Sequence, residues 1–283
     1  MGISEKNIQT IEAHCNNMRR TILDMGKHAG SRGAHMGAAL SVVEILSTLY
    51  FHTMNTADAG MASEDRDRFI MSKGHGCLGY YAVLMEAGLM DRSLAETFED
   101  DGSLLLGHPV QNRENGIEFT NGSLGMGLGL GIGVAIAMKK KGISNRVFAL
   151  LGDGECNEGS CWEAFMAAPN FHLDNLVAII DQNGFQLTGP NKDIMYIGDM
   201  QARLSAFGWE TRDVDGHDIG QLAGALDVRP EGRPLAVIAH TIKGKGFSFS
   251  ENNNAWHHAV VTQKAYDQGI AELEGTSTKE VPQ

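Results

Sequence analysis

Proline is scarce in this chain, with 6 in 283 residues, and cysteine scarcer, with 4: Cys15, Cys77, Cys156 and Cys161. So few thiols, in a chain long enough to stabilise itself by burial, exclude a disulfide framework; reduced thiols and a cytoplasmic location are expected. No stretch of about 18 apolar residues occurs, which argues against a membrane-spanning helix. The polar start, Met1 to Gln9, lacks the apolar segment of a secretion signal, so a soluble, unprocessed protein is expected. Positive charge is short as well. Lys and Arg number 23 against 35 Asp and Glu, a net charge of −12, and no basic run exceeds Lys139 to Lys141. That balance disfavours nucleic acid and anionic membranes as partners.

Glycine is plentiful instead. The 35 glycines make up about 12% of the chain, against an average near 7%. With so little proline beside them, they point to tight turns and close backbone approach to a ligand rather than to low complexity. Hydrophobic residues at 42% and charged residues at 20% suit a folded domain and exclude a disordered chain.

Ile8, Ile11, Cys15, Met18, Ile22 and Met25 recur at three- and four-residue steps, which predicts an amphipathic helix over the first 25 residues. Ala39, Val42, Val43, Leu46, Leu49 and Tyr50 predict a second. Four short runs are continuously apolar: Phe69 to Met71, Val147 to Leu151, Leu176 to Ile180 and Leu235 to Ala239. Such runs suit strands buried on both faces, the mark of a parallel sheet with helices between its strands. A shorter strand is expected from Trp209 to Val214. Gly125, Gly127, Gly129, Gly131 and Gly133 alternate with apolar residues and predict a tightly packed helix rather than a loop. The whole reads as one α/β domain, a parallel sheet flanked by helices over residues 1–270, with a polar tail at 271–283.

Ligands of such sheets bind beyond the carboxyl ends of the strands. There the sequence places Ser72-Lys73-Gly74-His75-Gly76, Gly152-Asp153-Gly154, Asp181-Gln182-Asn183-Gly184 and His240-Thr241-Ile242-Lys243-Gly244-Lys245-Gly246. A carboxylate at Asp153 and an amide at Asn183 suit a hard cation such as Mg²⁺, held by few protein oxygens plus phosphate. Taken singly, Asp153 reads more readily as a cap for a helix beginning near Gly159, and Asn183 as a turn residue beside Gly184.

The pair has company. Gly152-Asp153-Gly154-Glu155-Cys156-Asn157-Glu158-Gly159, then Trp162-Glu163-Ala164, then Asp181-Gln182-Asn183, closely resembles the thiamine diphosphate motif of the transketolase family. Arg32-Gly33-Ala34-His35-Met36-Gly37, Asp67 to His75, Gly107-His108-Pro109, Gly122-Ser123-Leu124-Gly125-Met126-Gly127, and Lys243-Gly244-Lys245-Gly246 with Trp256-His257-His258-Ala259, are similar to further segments of that family, in the family's order. The departures are Ala34 and Met36 around His35, Ser123 for a proline, and His258 for a glycine.

The resemblance implies roles. Asp153, Asn183 and the backbone carbonyl of Phe185 would bind Mg²⁺ or another divalent cation such as Ca²⁺ or Mn²⁺. His75, Gly154 and His257 would contact the diphosphate of thiamine diphosphate. Leu124 and Leu187 would pack on the cofactor, and Gly122 would meet its aminopyrimidine. His35, His108 and His257 would line the approach to the reacting carbon, where imidazoles can donate hydrogen bonds to sugar hydroxyls and carry protons. Glu158 would stand at a subunit interface, linking two active sites.

Members of that family usually carry diphosphate-binding, pyrimidine-binding and C-terminal domains in one chain. This sequence accounts for the first alone. The resemblance therefore implies a two-chain transketolase moving a two-carbon ketol unit between sugar phosphates, with a second polypeptide supplying the other domains and an α2β2 assembly. Specialised donors, branched such as apulose 4-phosphate or sulfonated, remain an alternative, as does the α subunit of a 2-oxoacid dehydrogenase.

Bland or competing readings are fewer. A non-catalytic scaffold is disfavoured because every metal and diphosphate position carries a competent residue. Gly74-His75-Gly76-Cys77-Leu78-Gly79 fits a dinucleotide fingerprint, yet Leu89 to Asp101 lacks the second strand such a site requires. Zinc at Cys156, Cys161 and His172 is disfavoured because no second pair completes four ligands.

Overall fold

The structure is a computed structural model that describes residues 2–56 and 64–275. The apolar stripe at the N-terminus forms helix α1 (Glu5–His28), which starts where the Ser4 hydroxyl accepts the Asn7 amide at 3.3 Å and ends with Lys27 and His28 in its last turn. Both features suit the helix dipole and its unsatisfied ends. The second predicted helix is broken into α2 (Met36–Leu40) and α3 (Val43–Thr48). The break falls at Ser41, whose hydroxyl donates both to the Ala38 carbonyl at 3.2 Å and to the buried Asp181 carboxylate at 2.8 Å.

Then follow β1 (Arg68–Met71), α4 (Cys77–Glu86), α5 (Gly127–Lys141), β2 (Val147–Gly152), α6 (Gly159–Asn170) and β3 (Leu176–Gln182). The chain closes with α7 (Asn191–Ile194), α8 (Met200–Phe207), β4 (Glu210–Asp215), α9 (Ile219–Leu226), β5 (Leu235–His240) and α10 (Gln263–Leu273). Between α4 and α5 lies a 3₁₀ turn at Arg92–Thr97 and no named strand, so the dinucleotide reading lacks its second strand. α10 runs past position 270 to Leu273, and Leu273 packs on the core. Of the expected tail, residues 276–283 lie outside the described residues.

All strand pairings are parallel, in the order β1-β2-β3-β5-β4. The runs are continuously apolar because both faces of the sheet are covered. Phe69, Met71, Phe148, Leu150, Val177, Ile179 and Val237 join the core containing α1, α3, α4 and α9. Their alternating neighbours Ile70, Ala149, Leu151, Ala178, Ile180 and Ile238 join the core containing α5, α6 and α8. Of the glycines expected in a tightly packed helix, Gly131 is packed, since a Cβ there would meet Leu176 of β3 at 3.3 Å, whereas Gly129 and Gly133 face open space and Gly125 precedes α5 in a left-handed conformation, φ 83°. No helix among the described residues is long and apolar enough to cross a membrane.

Candidate functional site

β2 and β3 pair with Gly152 opposite Asp181, which brings the loops after them side by side. Asp153 is buried in the first loop. Its Oδ1 accepts the Gly154 amide at 2.7 Å and its Oδ2 the Gly184 amide at 2.6 Å. Gly184 turns back onto Asp153 because it adopts φ 79°, a left-handed conformation that favours glycine. Asp153 does not cap α6: Glu158 stands at that position and makes no capping hydrogen bond. Burial, with the nearby Asp181 charge, pushes the Asp153 carboxyl up to about 6.

Asn183 braces the second loop from within. Its amide donates to Asp181 at 2.8 Å and its carbonyl oxygen accepts the Phe185 amide at 3.0 Å. Asp181 itself is fully buried, ion-paired with the buried Lys73, and bonded to Ser41 and Thr241. Burial would raise its pKa, but Lys73 and these donors outweigh that and hold it below the usual range. Glu155 ties three segments together, accepting from Ser72 Oγ at 2.5 Å, the Gly125 amide at 2.9 Å and the Gly152 amide at 3.0 Å. Its carboxyl is pushed up by burial despite those donors.

Four histidines predicted from sequence converge, and a fifth joins them. The His35 ring lies 5.8 Å from His75, 5.6 Å from His108, 5.6 Å from His257 and 4.6 Å from His258, while His75 stacks on His257 at 5.4 Å. An isolated bridge between Ala34 and Ala259 holds the two histidine-bearing loops together. Burial, then His258 and His108, lowers His35 to about 4; burial, then Lys243 and His35, lowers His257 to about 3. His75 falls well below its ordinary value through burial and the Lys73 charge. Packed imidazoles beside two lysines are thus held neutral, able to donate and accept.

The remaining predicted positions surround this centre. Gly122 stands beside His108, a Cβ there lying 3.7 Å from the His108 ring. At Gly154 a Cβ would come within 2.8 Å of Gln186 Cγ, so glycine permits the close approach of the two loops. Leu124 is 37% exposed and Leu187 64%, large apolar side chains with surface still to cover. Glu158 is exposed at the start of α6. Cys156 and Cys161 are buried, and no three His, Cys, Asp or Glu among the described residues form a metal-holding group, so the zinc set is not brought together.

The donor set fits a hard divalent cation and a diphosphate. No cationic side chain pairs with the buried Asp153 among the described residues, and the Asn183 and Phe185 carbonyls belong to the same loop system. Buried polar atoms without partners border it: Asn157 Oδ1, Gln186 Nε2 and Asn191 Oδ1. A cavity of about 380 Å³ opens beside Asp153, lined by Gly184, Phe185 and Asn191 among others.

Residues 11–274 match the transketolase, thiamine diphosphate binding domain family. The chain belongs to this family. It is 40% identical over 264 residues to one of the named subunits of the apulose-4-phosphate transketolase of Actinobacillus succinogenes, covering 93% of this chain and 95% of that one. It is 35% identical over 275 residues to the 6-deoxy-6-sulfo-D-fructose transketolase subunit SqwG of Clostridium sp. (strain MSTE9), covering 96% and 98%. The solved transketolase of Campylobacter jejuni superposes with a TM-score of 0.86 at 28% identity, over 94% of this chain and 43% of that chain. This chain therefore spans less than half the length of that transketolase.

Within this transketolase-family domain, sequence reasoning placed Lys73, Asp181 and Lys243 in the strand-end segments and Glu155 in the motif beside them, but gave none of them a role in the site. Lys243 is buried, its ammonium donating to the Gln186 carbonyl at 3.1 Å and Asn254 Oδ1 at 2.8 Å and lying 2.9 Å from His257 Nδ1. Burial and the Lys73 charge lower it to about 8. For Lys73 and Asp181 the signal was present: each lies within two residues of an apolar run, and a lysine that enters the interior needs an acid to meet it.

Proposed function

We propose that this chain is the diphosphate-binding subunit of a two-chain, thiamine diphosphate-dependent transketolase that takes its two-carbon ketol unit from a specialised ketose, branched like apulose 4-phosphate or sulfonated. The observation that carries this reading is end-to-end likeness, over 95% and 98% of their lengths, to two relatives each named as one subunit of such a transketolase. It is preferred to transfer between common sugar phosphates, and the match to the transketolase family favours it over the 2-oxoacid dehydrogenase reading.

Asp153, Asn183 and the Phe185 carbonyl hold Mg²⁺ or a similar divalent cation, relieving the buried carboxylate. His75, Gly154, His257 and the Lys243 ammonium face the diphosphate, and Leu124, Leu187 and Gly122 meet the thiamine rings. Thiamine diphosphate, when bound, supplies the carbanion chemistry. His35 and His257, kept neutral by burial, and His108 beside them orient the sugar hydroxyls and move protons at the carbonyl oxygen. The partner polypeptide brings the pyrimidine-binding and C-terminal domains, and Glu158 meets its symmetry mate in an α2β2 assembly, since isologous contacts close into two-fold complexes. The protein works in the cytoplasm.

The test is to assay ketol transfer from a panel of ketose phosphates and sulfonated ketoses, with thiamine diphosphate and Mg²⁺, before and after adding the pyrimidine-domain partner. The chain alone is expected to be silent, and the pair to prefer a branched or sulfonated donor. Robust turnover without the partner would overturn the split-enzyme reading.

A further inference from the structure

His217 lies outside the motifs above, in the turn between β4 and α9, yet the fold carries it to the back of the Lys243 loop. Its side chain is 13% exposed, and those of its neighbours Glu44 of α3 and Arg19 of α1 are 10% and 8%. The Ile242 amide donates to His217 Nε2 at 2.8 Å. A backbone amide can only donate, so Nε2 carries the lone pair and the ring proton sits on Nδ1. That proton faces Glu44 Oε2 at 2.9 Å, and the other Glu44 oxygen takes the Arg19 guanidinium. Arg19 Nε in turn donates to the Lys245 carbonyl at 3.3 Å. Gly246 packs so closely on Arg19 that a Cβ there would lie 2.3 Å from Nε.

The loop is thus held on two sides. From the front, Thr241 bonds Asp181 and the Gly244 amide donates to the Gly37 carbonyl at 3.1 Å. From behind, the relay takes Ile242 and Lys245. Ile242 is the residue before Lys243, so fixing its peptide plane fixes where the Lys243 side chain departs toward Gln186, Asn254 and His257.

We propose that the Arg19–Glu44–His217 relay positions Lys243, and through it His257, with neutral His217 as the residue that sets the loop. The proposal deepens the functional reading above, because Lys243 and His257 are the groups it aims at the diphosphate. His217 touches no substrate; it is a positioning residue.

Two variants separate its two bonds. His217→Asn keeps an amide near the Nδ1 position, facing Glu44, and removes the acceptor from Ile242. His217→Gln sets its carbonyl oxygen near the Nε2 position and restores that acceptor. In the ¹⁵N-labelled full-length chain, wild-type His217 is expected to show a proton on Nδ1 and none on Nε2 at pH 7. The His257 ring resonance, which senses Lys243, is expected to move in the Asn variant and return in the Gln variant. In the protein assembled with its partner, His217→Asn should weaken thiamine diphosphate binding about tenfold, equal to about 1.4 kcal/mol, and Gln should recover it to within about threefold. A proton on Nε2 in the wild type, an unmoved His257 signal in a folded Asn variant, or equal effects of the two variants would overturn the proposal. If the Asn variant does not fold, the wild-type tautomer and the His257 signal of the Gln variant decide. Failure of the wild-type assembly to bind thiamine diphosphate counts against the functional reading instead, and the ring measurements still judge the relay.

Discussion

Asp153 and Asp181 are two buried carboxylates at the ends of adjacent parallel strands, 4% and 0% exposed, and their pKa values move in opposite directions. Asp181 has Lys73 as an ion-pair partner and accepts from Ser41, Asn183 and Thr241. Asp153 has two backbone amides, the Asn191 side chain and only the field of Lys243, with no ion-pair partner among the described residues and another carboxylate nearby. Burial is common to both; an ion-pair partner is not. The paired acid ties the segments after α2, β1 and β5 to the end of β3, and the other, held by neutral donors, is suited to an arriving cation.

The sharpest way to break this contrast is Lys73→Met, which strands the Asp181 charge. Removing one partner of a buried ion pair costs about 3–5 kcal/mol, a large share of a typical stability of about 5–15 kcal/mol. Urea unfolding should show a loss of that size, and an unchanged midpoint would mean that Lys73 and Asp181 are not paired in solution.

Asp153→Asn should remove metal-dependent binding of thiamine diphosphate and change stability in a pH-dependent way. The folded pKa of about 6 lies above the ordinary 3.8, so the unfolded chain ionises first as pH rises. Any stabilisation from this group is present below pH 3.8 and is lost between there and about pH 6. Asparagine is neutral throughout but keeps one acceptor for the two backbone amides, so its effect on the stability of the cofactor-free chain should be more favourable at pH 7 than at pH 3.5 by on the order of 2–3 kcal/mol. Calorimetric titration with Mg²⁺ and thiamine diphosphate reads the binding side, and undiminished affinity would remove Asp153 from the metal set.

The histidine cluster offers a third comparison, imidazoles packed on one another beside Lys73 and Lys243. His35→Ala and His108→Ala should each lower kcat/KM of the assembled enzyme by about 100-fold, the usual scale for a lost proton-transfer group, with cofactor affinity within about twofold. A variant with unaltered kinetics would make that histidine structural.

The smallest effect concerns pH. His35 and His257 fall from 6.5 to about 4 and about 3 on folding, so their contribution to stability is present above pH 6.5 and declines as pH drops toward 4. Urea midpoints at pH 7 and pH 5 should differ less in His35→Asn than in the wild type, and an identical difference would show that His35 titrates alike in both states.

Much of this protein was determined by sequence alone. Strand runs such as Val147–Leu151 are apolar at every position, and only a sheet covered on both faces uses that pattern. The glycines of α5 were legible as helix because apolar residues interleave them at regular spacing. Asp153, Asn183 and His35, His75, His108 and His257 were legible because each sits in a short segment of defined character beside a strand end or glycine. Tertiary structure alone decided what lies between segments. Ser41 interrupts a stretch whose local pattern is helical, because its hydroxyl reaches a carboxylate 140 residues away. Glu155 joins Ser72, Gly125 and Gly152, and His217 meets Ile242 and Glu44, through contacts that no local spacing encodes. Periodicity reports which face of an element is buried, whereas the pairing of buried polar groups depends on which loops the sheet order sets side by side.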